Sequence, residues 1–197
     1  LRNWVSRPTH RKPVKTGAIF SEKNESVSMQ IINDTSAMIP EPCVATIGFF
    51  DGVHMGHRYL IQQVKEIAAA KGLRSALVTF PVHPRKVMNA AYHPELLTTP
   101  EEKTNLLAGT GVDYCLMLDF TPDISRLTAK EFMTQILKER FQVKYLVIGY
   151  DHRFGHNRSE GFDDYVRYGQ AIGIEVIRAQ AYTDDIQIDT IQSAPVS

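Results

Sequence analysis

Residues 48–57 read Gly-Phe-Phe-Asp-Gly-Val-His-Met-Gly-His, and their neighbours leave the chain little choice of fold. Before them, Cys43-Val44-Ala45-Thr46-Ile47 is a short apolar run of the kind that forms a buried strand. After them, residues 59–71 place apolar side chains at 60, 61, 64, 67 and 68, the spacing of one helix face. The motif is therefore a strand-to-helix turn. Gly48, Gly52 and Gly56 let the backbone turn tightly and let a ligand approach it. The helix that follows aims its free N–H groups and the positive end of its dipole at the same point. That is the outline of a phosphate site. His54 and His57 add two imidazoles three residues apart, on one side of the first helical turn.

From Cys43 onward the sequence alternates strand and helix. Strands are expected at residues 73–80, 112–118, 143–148 and 175–179, with a further candidate at 186–191. Gln30-Ile31-Ile32 begins strand-like structure ahead of them. Thr99-Pro100-Glu101-Glu102 and Thr128-Ala129-Lys130-Glu131 are capping boxes that open helices, the second running to about Arg140. Residues 81–94 are expected to be irregular, and a helix is expected over 162–171. This alternation predicts an α/β fold: a mostly parallel sheet of five or six strands with helices on both faces. Residues 29–197 read as one domain. Residues 1–28, basic and without apolar period, read as an N-terminal extension.

Lys and Arg balance Asp and Glu at 22 each, so the net charge is zero and a nucleic-acid partner has no general electrostatic support. No apolar run has the length of a membrane span. Cys43 and Cys115, the two cysteines, sit in apolar runs and read as buried free thiols of a cytoplasmic protein.

In an open α/β sheet, ligands bind off the carboxyl ends of the strands. Three such ends carry unusual residues. The first is the turn already described. The second is Thr79-Phe80-Pro81-Val82-His83-Pro84-Arg85, readable as a proline-punctuated loop or as a platform in which Phe80 faces a planar ligand. The third is Gly149-Tyr150-Asp151-His152-Arg153-Phe154-Gly155, readable as a polar turn or as a ligand-binding edge; Arg153 suits a phosphate contact or a solvated surface equally. Histidines suit a phosphoryl site because their N–H groups donate to phosphate oxygens. A zinc site built on His54, His57 and Asp51 lacks a third imidazole or a thiol nearby in sequence.

Taken together, the three strings resemble the adenylyltransferase domain of bacterial FAD synthetase, the bifunctional riboflavin kinase/FMN adenylyltransferase of the nucleotidylyltransferase superfamily. The resemblance implies a Rossmann-like nucleotidylyltransferase fold and transfer of AMP from ATP to FMN, giving FAD and pyrophosphate. It implies catalytic roles for His54, His57 and Asp151. ATP contacts fall on Gly48, Phe49, Phe50, Asp51, Gly52, Gly56, Gly149, Arg153 and Ser197. Flavin contacts fall on Thr79, Phe80, His83, Pro84, Arg85 and Phe154. Mg²⁺ is expected with ATP, held mostly by phosphate oxygens and water, with no protein ligand named. Three positions depart from the family pattern: Phe49 stands where Asn is common, Val82 where a proline is expected, and His152 where an aromatic is usual. The family's Ser-Ser-Thr-x-x-Arg element is matched only at its start, by Val196-Ser197, and a C-terminal riboflavin kinase module is expected in the full-length chain. Two rival readings are another adenylyl- or cytidylyltransferase of the same superfamily and a non-catalytic flavin- or nucleotide-binding module.

Overall fold

The computed structural model describes residues 28–33, 39, 41–89, 91, 93, 95–150, 152–156 and 158–182. Its centre is a six-stranded sheet built from β1 (Gln30–Ile32), β2 (Cys43–Ile47), β3 (Arg74–Thr79), β4 (Tyr114–Met117), β5 (Val143–Ile148) and β6 (Glu175–Arg178). The spatial order is β1-β4-β3-β2-β5-β6, and every pairing is parallel. Every residue of β2 is buried, as is β3 after Arg74, because helices cover both faces. After β1 at the edge, the chain crosses to the centre on β2, runs outward through β3 and β4 to meet β1, then returns to lay β5 on the other side of β2. The order thus reverses between β2 and β5, and a crevice opens at their carboxyl ends.

Helix α1 spans Met55–Lys71 and buries Ile61, Val64 and Ala68, three of the five expected face positions. It starts four residues earlier than its apolar period suggests. His54 is the reason: it sits in an extended conformation as N-cap, and its Nδ1 accepts from the His57 N–H at 3.4 Å. The helix ends at Gly72, left-handed at φ 65°. Both capping boxes form. One opens α3 (Pro100–Ala108) and the other opens α5 (Ala129–Glu131), which continues as a π-helical segment over Phe132–Arg140.

Two short helices interrupt stretches read as irregular or left unread. In α2 (Pro84–Met88), His83 is the cap, with its Nδ1 accepting from the Arg85 N–H at 3.2 Å. In α4 (Pro122–Arg126), Thr121 caps the Ile124 N–H. Each begins with proline at its first position, where the missing N–H costs nothing. Helix α6 (Phe162–Ile172) then leads to β6. The candidate strand at 186–191 lies outside the described residues, and β1 supplies the sixth strand. Among the described residues, no helix is long and apolar enough to cross a membrane.

Both thiols are free and buried. Cys43 donates to the Phe141 carbonyl at 3.3 Å. Burial, and for Cys43 also the Glu41 carboxylate, raises the thiol pKa values to about 12 for Cys43 and about 11 for Cys115. The reactive thiolate is thus suppressed at neutral pH. Neither cysteine is expected to react with a disulfide reagent in the native protein, and both should react in guanidinium; rapid native labelling of either would contradict this burial.

Candidate active site

The turn after β2 is held in an unusual backbone shape. Phe50, Gly52 and Val53 have φ of 55°, 69° and 41°. A β-branched residue at positive φ costs roughly 1–3 kcal/mol, tolerated only where the surroundings enforce it. They do so here: Phe50 and Val53 are each 1% exposed and pack with Ile61, Leu77 and Leu107. Gly48 donates to Val78 O at 3.0 Å, and a Cβ on it would lie 2.8 Å from the Phe50 ring.

Asp51 fastens this turn to a distant loop. Its carboxylate accepts from the Leu97 N–H (2.8 Å), the Thr98 N–H (3.0 Å) and the Thr98 hydroxyl (2.9 Å). The Gly52 N–H lies 3.2 Å from the same hydroxyl oxygen. Burial alone would raise the Asp51 pKa, but the Leu97 and Thr98 hydrogen bonds and the Lys103 charge outweigh it, and the carboxyl is held below its ordinary range.

The two histidines of the turn form one unit. Their rings stack with centroids 3.6 Å apart and planes at 24°, and His57 meets Phe50 edge-on at 5.2 Å. His54 is exposed; His57 is half-buried, and its Nδ1 is buried without a hydrogen-bond partner. Burial, then the neighbouring His54 and His152, lower the His57 pKa to about 4 against the pull of Asp51. His152 is lowered to about 4 by burial and by Arg158. Both imidazoles are therefore neutral at pH 7. An imidazole whose folded pKa lies below its unfolded value binds fewer protons when folded, so its contribution to stability falls as pH falls. The thermal unfolding midpoint is expected to drop between pH 6.5 and pH 4, above the range where the lowered carboxylates titrate. A midpoint flat across that window would contradict the burial of these rings.

The turn after β3 is tied to the first one through the Phe49 carbonyl. That oxygen accepts from Thr79 Oγ1 and from Lys103 Nζ, each at 3.2 Å. Lys103 is only 2% exposed; its Nζ also donates to the Phe80 carbonyl at 2.8 Å and lies 4.1 Å from the centre of the Phe49 ring. The Phe49 ring meets His83 edge-on at 4.7 Å, and Phe80 meets Phe120 edge-on at 5.5 Å. Sequence reasoning missed Lys103, because Glu101-Glu102-Lys103 reads as a solvated helix face.

The turn after β5 completes the ring of loops. His152 donates its N–H to Gly149 O at 3.1 Å. Phe154 stacks on Tyr165 at 4.3 Å, and its N–H donates to the Tyr165 hydroxyl at 3.1 Å. Gly155 has φ 93°, and a Cβ there would lie 2.7 Å from Ala129 N, so the loop can lie against α5 only without a side chain. Asp151 and Ser197, both singled out in the sequence, lie outside the described residues.

Between these turns lies a cavity of about 410 Å³. Its walls include Phe49, Phe80, His83, Pro84, His152 and Phe154. Arg85, Arg153 and Arg158 also border it, and α4 contributes Ile124 and Ser125, which the sequence reading did not single out. Aromatic walls with guanidinium groups at the border suit a flat apolar ring carrying an anionic tail. Thr79 faces the Phe49 carbonyl and is not among the cavity-lining residues. Among the described residues, no group of three or more His, Cys, Asp and Glu side chains could hold a metal ion.

A parallel sheet with a glycine-histidine turn at the point where strand order reverses defines a nucleotidylyltransferase-type α/β protein. Comparison with known sequences narrows the class. The profile of the FAD synthetase family matches residues 36–194, and the chain belongs to that family. It is 35% identical over 153 residues to the bifunctional riboflavin kinase/FMN adenylyltransferase of Escherichia coli K12, covering 78% of this chain and 49% of that protein. The proteins of the same name from Listeria monocytogenes and Pseudomonas fluorescens are each 34% identical, over 77% and 83% of this chain and 49% and 53% of theirs. The chain thus spans about half the length of the curated relatives it matches. Among solved structures, the crystal structure named macrolide-efflux protein from Streptococcus pneumoniae matches with a TM-score of 0.66 and 28% identity, covering 77% of this chain and 49% of that one.

Proposed function

We propose that this chain is an FMN adenylyltransferase, which transfers AMP from ATP to FMN and releases pyrophosphate. The observation that carries the proposal is the junction of two features: a histidine pair at the start of α1, and an aromatic-walled cavity on the neighbouring loops. One suits a triphosphate and the other a flavin ring.

In this reading MgATP lies over residues 48–57, with Gly48, Phe49, Phe50, Gly52 and Gly56 shaping the backbone cradle. Asp51 acts there through its hold on Leu97 and Thr98. His54 and His57 donate to phosphate oxygens, joined by the N–H groups of the first helical turn. Gly149 and Arg153 border the same nucleotide, and Asp151 and Ser197 are assigned to it from the family resemblance alone. Phe80, His83, Pro84, Arg85 and Phe154 border the flavin, with Thr79 positioning Phe49. A phosphate oxygen of FMN attacks the α-phosphorus in line, a new P–O bond forms, and the bond to pyrophosphate breaks. No protein nucleophile is required; positioning and charge stabilisation carry the catalysis. The proposal also takes residues 29–197 as belonging to the transferase domain, residues 1–28 as an extension, and the cytoplasm as its location. The bifunctional names of the relatives support a riboflavin kinase module elsewhere in the full-length protein.

The test is incubation with ATP, Mg²⁺ and FMN, following FAD by chromatography and pyrophosphate as a second product. FAD with matching pyrophosphate is expected. Transfer to phosphopantetheine, or from CTP, in place of FAD formation would overturn the proposal in favour of another branch of the superfamily.

A further inference from the structure

Among the described residues, three buried side-chain nitrogen or oxygen atoms lack a hydrogen-bond partner, and two are ring nitrogens at this site: Nδ1 of His57 and Nε2 of His152. A buried polar atom left unpaired costs about 1–3 kcal/mol, so its position calls for an explanation. The two residues come from opposite sides of the crevice, His57 from the first turn of α1 and His152 from the loop after β5. The elements that carry them are in contact. A Cβ placed on Gly149 would lie 3.7 Å from Leu60, one turn along α1 from His57, and 3.8 Å from Cβ of His152. Each ring nitrogen is able to act as donor or acceptor, so each offers what the other lacks.

We infer that His152 is the positioning partner of His57. Its Nε2–H donates to Nδ1 of His57 through one bridging water, and this leaves the His57 Nε2–H free to donate to the phosphates of the nucleotide. The inference rests on the adenylyltransferase reading for its catalytic consequence. The hydrogen bond on one imidazole nitrogen selects the tautomer and sets the direction of the other. A neutral pair is what such a water-bridged contact needs, and burial keeps both rings neutral at pH 7. The Nε2 of His152 is buried although the residue helps to line the cavity, so this nitrogen acts through His57. The family usually carries an aromatic at position 152, which would fill the space without a ring nitrogen to pair; the histidine pairing is then a feature of this chain's own sequence.

Two readouts test it. In protein labelled with ¹⁵N-histidine at pH 7, the ring shifts of His57 are expected to show a protonated Nε2 and an unprotonated Nδ1. His152→Phe keeps a ring of similar size and removes the nitrogen. It is expected to give a mixture of His57 tautomers, a kcat lowered about tenfold, and an FMN KM within about twofold of the parent. His152→Gln, whose amide nitrogen restores a donor, is expected to recover most of the kcat and the single tautomer. A His57 that carries its proton on Nδ1 in the parent overturns the pairing, whether or not the variants fold. An unchanged His57 spectrum in His152→Phe does the same, as does a rise in KM with kcat preserved. Failure of the parent to form FAD would overturn the transferase reading and the catalytic consequence with it, and the ring-nitrogen spectrum decides the pairing independently of that result.

Discussion

His57→Ala is expected to lower kcat for FAD formation by about 10²–10³-fold, the usual cost of removing one preorganised donor from a water-poor site. That corresponds to about 2.7–4 kcal/mol of transition-state stabilisation. The effect on folding is smaller. The ring stacks on His54 at 3.6 Å and meets Phe50 edge-on at 5.2 Å, contacts worth about 0.5–1.5 kcal/mol each. Against a stability of roughly 5–15 kcal/mol, such a loss leaves nearly every molecule folded, so the rate change reports on chemistry. Chromatographic FAD assays on folded variant, with circular dichroism alongside, distinguish the two. Activity within threefold of the parent would remove His57 from the reaction.

Lys103→Ala is expected to destabilise the protein by about 3 kcal/mol, through the cavity left behind and the carbonyls left unpaired. The Phe80 carbonyl loses its donor, and the Phe49 carbonyl keeps only Thr79. For a domain of this size the unfolding midpoint should fall by roughly 6–12 °C. Burial lowers the Lys103 pKa, against the opposing influence of Cys115 and Asp51, so the ammonium is held in place at a cost. What it holds is the relation between two turns: one end of the nucleotide cradle and one wall of the cavity. Lys103→Met, similar in length and without charge, is expected to recover part of the stability and little of the FMN affinity. Differential scanning calorimetry checks the first statement. A midpoint within 2 °C of the parent in Lys103→Ala would show that the carbonyls are satisfied in another way.

The sequence made the fold legible because its signals were local. An apolar run, three glycines and a helical period within residues 43–71 specify a strand, a turn and a helix. The capping boxes at Thr99 and Thr128 are likewise local, and both form. The helix at Pro122 carries an equally local signal, Thr121 followed by proline, whereas the helix at Pro84 is capped by His83 in a stretch expected to be irregular. The start of α1 was harder, since histidine is not among the usual capping residues. The site resisted reading wherever its logic is long-range. Asp51 looks like a ligand contact in the motif, yet its carboxylate is occupied 46 and 47 residues away at Leu97 and Thr98. Lys103 looks like a surface charge and is buried against carbonyls 54 and 23 residues distant. The pairing inferred between His57 and His152 depends on β2 and β5 being neighbours in the sheet, which no local pattern encodes.

The most direct test of the account is a single turnover with ATP labelled at the α-phosphorus, mixed with FMN and excess enzyme. The account predicts that the label passes into FAD, and that label placed instead on the γ-phosphorus leaves as pyrophosphate. Label remaining in ATP while FMN is bound, or γ-label passing to the flavin, would contradict adenylyl transfer.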